Sequence, residues 1–216
     1  MTKLEDINTR VRLQLDDPDA KRFSDDLLLA ALRLTLEQVN LALPRSQTFS
    51  WTVAAAGRDQ VLTGLSDCLF ITRITLTATG TSGQELEPET AFTYSLRDGI
   101  PGLHFHGTFI PQVGEVLSID YAAGYLIEGL DDAESTTLPA ACEAALVSGT
   151  SAQACFLRAG SLLESYGARD GESSRMAAIG DLWQRVFERS LRGLKVMQEF
   201  GFPPGFLLDQ WDERRG

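Results

Sequence analysis

Histidine is nearly missing from this chain: there are two in 216 residues, and they fall together at His104-Phe105-His106. Cysteine is almost as scarce, with three, at Cys68, Cys142 and Cys155. None of the three stands at metal-ligand spacing from another. Cys142 and Cys155 lie in an alanine-rich segment, where a thiol packs as a small apolar group, so the set reads as free thiols. No apolar run is long enough to cross a bilayer. The opening Met1-Thr2-Lys3-Leu4-Glu5-Asp6 lacks the apolar stretch of a secretory signal, so synthesis and folding in the cytoplasm are expected. Positive charge is short as well, with 19 Lys and Arg against 30 Asp and Glu, a net charge of −11. Affinity for nucleic acid comes mainly from neutralising phosphates, so this balance argues against a sequence-specific DNA binder. It still allows a surface that DNA passes without sticking.

What is present suits a globular fold. A chain 44% hydrophobic and 23% charged has material for a core, in one domain or in one domain carrying a large insertion. Leu4, Ile7, Val11 and Leu15 recur at spacings of three and four, the stripe of a short amphipathic helix. Asp16-Asp17-Pro18-Asp19 breaks it. Ser24 then offers an N-cap, with Asp25 and Asp26 in the first turn where negative charge suits the helix dipole. Leu28, Ala31, Leu32, Thr35 and Val39 form the inward stripe of this second helix. Leu27, Leu34 and Leu41 broaden it into a surface that needs covering on more than one side, and Pro44 ends it.

From about Phe49 to Tyr125 the period changes to two. Ile74, Leu76 and Ala78 alternate with polar residues, as do Leu103, Phe105 and Phe109, then Leu117, Ile119 and Tyr121. Gly57, Gly80, Gly83, Asp98-Gly99, Pro101-Gly102 and Gly114 punctuate the runs as turns, so a small antiparallel sheet or barrel is expected. After an acidic, polar linker from Glu128 to Thr137, helix returns. Thr137 is placed to cap it, Pro139 stands near its first position, and small residues fill the segment to Tyr166, which lets helix axes approach closely. A last helix starts near Ser173 or Ser174. Its stripe is Met176, Ile179, Trp183, Val186, Phe187, Leu191 and Leu194, and Gly201 and Pro203-Pro204 stop it. Phe202, Phe206, Leu207, Leu208 and Trp211 then follow in a segment too short for a core of its own. Such residues fold back on the body or bury themselves in a partner.

Catalytic material is thin. His104 and His106, at i and i+2 on a strand, share one face and could begin a metal site, with Glu115 or Asp120 as a third ligand. That pair would make a small metal-dependent hydrolase. The plainer reading is the polar face of an exposed strand. Ser148-Gly149-Thr150-Ser151 has no lysine and no preceding strand, so it is no phosphate loop, and no fingerprint for a cofactor or a serine nucleophile occurs. Asp25-Asp26 and Asp131-Asp132 are explained by a helix start and a solvated linker. The residues therefore point to no enzyme, no cofactor and no metal.

The run Val11-Arg12-Leu13-Gln14-Leu15-Asp16-Asp17-Pro18-Asp19, followed by Phe23-Ser24-Asp25-Asp26-Leu27-Leu28 and a leucine-rich helix, resembles bacteriophage head-to-tail connector (adaptor, head-completion) proteins. So does the later join, where Ile119-Asp120-Tyr121 leads through the acidic linker to Leu138-Pro139 and the small-residue helix Ala140 to Leu157. The resemblance covers most of the chain as a layout, and only two short stretches residue by residue. It implies a helical bundle with a β domain inserted between the early and late helices. It also implies a ring of identical subunits, twelve-fold in relatives, beneath a portal protein in the virion neck, with a further neck or tail protein below. DNA would pass through the lumen without sequence-specific binding, and no membrane is involved. A C-terminal arm would grip the portal through Phe202, Phe206, Leu207, Leu208 and Trp211. A neck or tail-completion protein that contacts the tail instead is the alternative. The expected fold is α+β: residues 1–46 open a helical domain, 47–127 form the inserted β domain, 128–201 complete the helices, and 202–216 form an extended arm.

Overall fold

The computed structural model describes residues 3–65, 67–77, 84–86, 91–97, 100–164 and 171–200. Among them the fold is α+β, with four helices and two small antiparallel sheets. The described residues up to Leu43 and from Tyr125 onward form a helical unit, and Pro44 to Gly124 form a β unit.

The helical unit begins with α1 (Leu4–Gln14), whose Ile7 and Val11 are fully buried. Its first turn is tied down by Lys3, whose backbone N–H donates to Asp6 Oδ2 at 3.0 Å, while the Leu4 N–H donates to the Glu128 carbonyl at 3.1 Å. Helix α2 (Asp25–Ala42) starts as its sequence dictates, with the Ser24 hydroxyl accepting the Leu27 N–H at 3.3 Å. Leu28, Ala31, Leu32, Thr35 and Val39 point inward, joined by Leu36. The expected broadening is only partly realised. Leu27 packs at the core margin, but Leu34 is 41% exposed and Leu41 76% exposed. The reason is coverage: among the described elements α2 packs mainly against α3 (Ala140–Glu164), with a smaller contact to α4 (Glu172–Phe200).

Helix α3 is buried along most of its length, from Cys142 through Ala145, Leu146, Gly149, Ala152 and Cys155 to Leu162. Gly149 lies where α2, α3 and α4 meet: a Cβ there would collide with the Thr35 methyl and stand 2.9 Å from Phe187 Cδ2. A second close approach occurs at Gly180, where a Cβ would stand 2.7 Å from Phe156 Cε1. Phe156 is only half-buried and its ring can move. Gly180→Ala is therefore expected to stay within about 1 kcal/mol of the parent in thermal denaturation, overpacking being offset by the better helix propensity of alanine. Thr137 does not cap α3. Its hydroxyl accepts the Leu126 N–H at 2.8 Å, and Thr136 accepts the Glu128 N–H at 2.9 Å, so both organise the segment before the helix. Helix α4 starts at Glu172, slightly earlier than the serines suggest, and Ser173 donates to the Ala159 carbonyl to hold it on α3.

The β unit contains β1 (Arg45–Thr52), β2 (Asp59–Val61), β3 (Cys68–Thr77), β4 (Gln84–Leu86), β5 (Phe92–Arg97), β6 (Ile100–Phe105) and β7 (Val116–Ala123). One sheet runs β1-β7-β3-β4 and the other β2-β6-β5. Strand β7 is central to the first, with Ile119 opposite Phe49 on one side and Ile74 on the other. Leu117, Ile119 and Tyr121 are buried, as period two requires. Both sheets contribute to one core, including Trp51, Ile74, Phe92, Leu103, Phe105 and Leu117. Phe109 is not part of the β6 alternation. The strand ends at Phe105, the chain turns through Gly107 at φ +68°, and Phe109 returns to meet the Phe105 ring edge-on at 5.4 Å. Strand β1 starts at Arg45, directly after the proline that ends α2, and Tyr125 and Ile127 already belong to the helical core.

Candidate functional site

The five residues expected to anchor a partner, Phe202, Phe206, Leu207, Leu208 and Trp211, lie outside the described residues. Near the C-terminal end of α4 the helical unit opens into a cleft of about 310 Å³. Leu43, Tyr125, Pro139, Ala141, Leu194 and Met197 line it, with Cys142 and Gln198, and among the described residues no charged side chain does. Such a wall suits an apolar side chain, and burial raises the pKa of the Cys142 thiol within it.

The histidine pair is placed on strand β6 and just beyond it, rings 4.9 Å apart. His104 Nδ1 meets Asp59 Oδ1 at 2.7 Å, and His106 Nε2 meets the Thr93 hydroxyl, so each ring has a partner on a neighbouring strand. The proposed third ligands are elsewhere. Asp120 lies in the other sheet, accepting from Thr48 at 2.7 Å and from Arg73 at 3.0 Å, and Glu115 accepts the Gln112 N–H. Among the described residues no three His, Cys, Asp or Glu side chains come together as a metal site. The thiols are equally unprepared for chemistry. Burial pushes Cys142 and Cys68 up and takes Cys155 to about 11, so each stays protonated near neutral pH.

One arrangement that the sequence did not disclose is the loop between α1 and α2. Asp17, read as part of a helix breaker, turns inward and is only 3% exposed. Its carboxylate accepts the N–H groups of Lys21 at 2.9 Å, Arg22 at 3.1 Å and Phe23 at 2.9 Å. Burial alone would raise its pKa, but the N–H groups of Phe23, Arg22 and Lys21, with the Arg22 charge, outweigh that and hold it below the usual carboxylate value. Arg12 closes the loop from α1, donating to the Phe23 carbonyl at 2.9 Å and to Asp25 at 2.6 Å. The stretch that carries the sequence resemblance thus forms a hydrogen-bonded connection between α1 and α2 around the buried Asp17 carboxylate. The acidic linker is similarly held: Arg33 on α2 forks onto Asp131, a hydrogen bond that depresses the Asp131 carboxyl.

The remaining notable surface is the outer side of α4, where Leu182, Val186 and Val196 are exposed beside Arg185, Arg189 and Arg192.

No family model matches the chain, and no curated protein does. Solved structures do. A chain from the neck of an empty GTA particle computed with C6 symmetry is 18% identical, with 83% of this chain and 86% of that chain covered and a TM-score of 0.33. A chain from the virion of the native gene transfer agent (GTA) particle is 17% identical, covering 83% and 87% at a TM-score of 0.33. A chain from the neck of the native GTA particle computed with C12 symmetry is also 17% identical, covering 85% and 92% at a TM-score of 0.32.

Proposed function

We propose that this chain is a head-to-tail adaptor subunit of a phage-type virion neck, a structural component and not an enzyme. It would form a ring beneath the portal, join head to tail and leave a channel for the genome. The observation that carries the reading is the order of parts. Two helices joined by the Asp17 loop come first, a β unit is inserted after Pro44, and a small-residue helix follows Leu138-Pro139 and buries itself in the same helical core. That order, together with the residues that resemble adaptor proteins, supports the assignment. The arm 202–216 would supply the portal contact through Phe202, Phe206, Leu207, Leu208 and Trp211, ordering as it docks. A neck or tail protein would bind below, and DNA would pass without base recognition. The net charge of −11 fits a lumen that does not hold phosphate.

Electron microscopy of the chain mixed with the portal protein encoded beside it tests this directly. Rings that decorate the portal with the full chain, and are lost on deleting residues 202–216, are the expected result. Decoration that survives the deletion removes the anchor role. Binding to a tail component and not to the portal would make the chain a tail-completion protein.

A further inference from the structure

Helix α4 has two faces of different character. Met176 and Phe187 are buried, and Ile179, Leu191 and Leu194 pack beside them against the core. At about 100° per residue, Arg185, Arg189 and Arg192 fall within an arc of roughly 60° on the opposite side. Leu182, 57% exposed, lies beside this strip with Val186, and Val196 lies within it.

Eight of the other described cations are paired, while Arg58, Arg158 and Arg175 have no described ion pair either. Lys3, Arg10, Arg12, Lys21, Arg22, Arg33, Arg45 and Arg73 each meet a carboxylate within 4.0 Å. Among the described residues Arg185, Arg189, Arg192 and the adjacent Lys195 meet none, although acidic groups outnumber basic ones by 30 to 19. Asp181 and Glu188 lie along one edge of the strip, and Glu188 is turned to Gln184 at 3.1 Å.

The complementary surface is on α2. Leu34 and Leu41, seven residues apart, stand on one outward line with Ala30 between them and the start of the helix. Glu37 is on that face and Asp26 at its edge, neither in an ion pair among the described residues. Arg33, the cation beside them, is taken up by Asp131. Both outward faces point away from the core of their own unit, so neither can satisfy the other within one copy.

We infer that the outer face of α4 docks on the outer face of α2 in a second copy of this chain. The leucines and valines of the two faces would interleave as ridges in grooves, while Arg185 and Arg189 approach Glu37. A polyanion such as DNA would match the cations but leave Leu182, Val186 and Val196 against phosphate, where their burial gains nothing. A contact between two different faces is head-to-tail, so it repeats from copy to copy and closes into a ring when the rotation allows. The inference deepens the ring reading and rests on it, but it concerns a contact that no portal is needed to detect.

The test uses full-length chains carrying Leu34→Cys or Val186→Cys, treated with a short bismaleimide, alone and mixed. The parent, whose Cys142 and Cys155 are buried and Cys68 half-buried, gives the background. The mixture is expected to yield covalent dimer at least ten-fold above either variant alone. Adding R185E and R189E to the Val186→Cys chain should remove that excess, and Glu37→Arg in the Leu34→Cys chain should restore part of it. Circular dichroism confirms that each variant is folded. Equal cross-linking of one variant with itself, or folded chains that yield no excess in the mixture, overturns the inference. So does cross-linking unaltered by R185E and R189E while retention of duplex DNA is lost. Cross-linking without portal decoration refutes the adaptor reading alone, and decoration without cross-linking refutes this one alone.

Discussion

Gly149→Ala is expected to destabilise the helical unit by about 2 kcal/mol, even though alanine in a helix interior is intrinsically favoured over glycine by about 1 kcal/mol. The added methyl has nowhere to go. It meets the Thr35 methyl from α2 and the Phe187 ring, 2.9 Å away, from α4. Thr35 and Phe187 are themselves buried, at 0% and 1% exposure, so neither can swing into solvent. Urea denaturation followed by far-ultraviolet circular dichroism measures the loss. The diagnostic companion is Thr35→Ser, which deletes the colliding methyl but keeps the hydroxyl that donates to the Ala31 carbonyl at 2.8 Å. In that background Gly149→Ala should cost less than about 1 kcal/mol, and a coupling energy near zero would show that the three-helix contact is looser than described.

Asp17→Ala is expected to cost about 3 kcal/mol, because hydrogen bonds to a charged acceptor are the strong ones and their loss strands buried donors. The N–H groups of Lys21, Arg22 and Phe23 would all lose their acceptor. Asp17→Asn should cost roughly half as much, since one amide oxygen can still serve Lys21 and Arg22 while its NH₂ would face the Phe23 N–H. The pH dependence gives a second readout. The folded-state carboxyl sits below its ordinary value of 3.8, so its stabilisation is fully present above that pH and is lost as pH falls through the lower, folded-state value. The parent should therefore lose stability more steeply below pH 3.8 than Asp17→Asn does. Parallel acid titrations of the two would contradict the assigned role.

Much of this architecture is periodic, and periodicity is what a sequence displays openly. The stripe from Leu4 to Leu15, the Ser24 cap, the inward residues of α2 and the alternation of β7 all appear in the structure where their spacing puts them. Residues whose role depends on non-local geometry were not legible. Leu34 and Leu41 carry the same period whether their covering comes from this chain or from another molecule. Asp17 stands among other aspartates, and only the loop path decides which one meets three donors. Thr137 has the spacing of a cap, but its hydroxyl is claimed by Leu126 across a turn. Phe109 keeps the alternation of β6 in sequence while Gly107 reverses the chain beneath it. For the candidate surfaces, the arginines of α4 are visible at spacings of four and three, but the absence of carboxylate partners for them among the described residues depends on the fold. The aromatic arm beyond α4 remains an expectation from the residues themselves.

The β unit has a consequence for the order in which the protein acquires its structure. The chain enters it at Arg45 and leaves it at Ala123, and these two residues are paired across β1 and β7. Helices α2 and α3, though separated by the whole insertion, are thus delivered to one another from neighbouring strands about 5 Å apart. Pairing β1 with β7 closes a loop of roughly 80 residues, and closure of that length is an entropic barrier that local helix formation does not relieve. Once those strands have met, the search that brings α3 onto α2 becomes short. The insertion would then act as a clasp on the folding pathway, so a mutation that weakens β1 against β7 is expected to slow the assembly of helices that belong to the other unit.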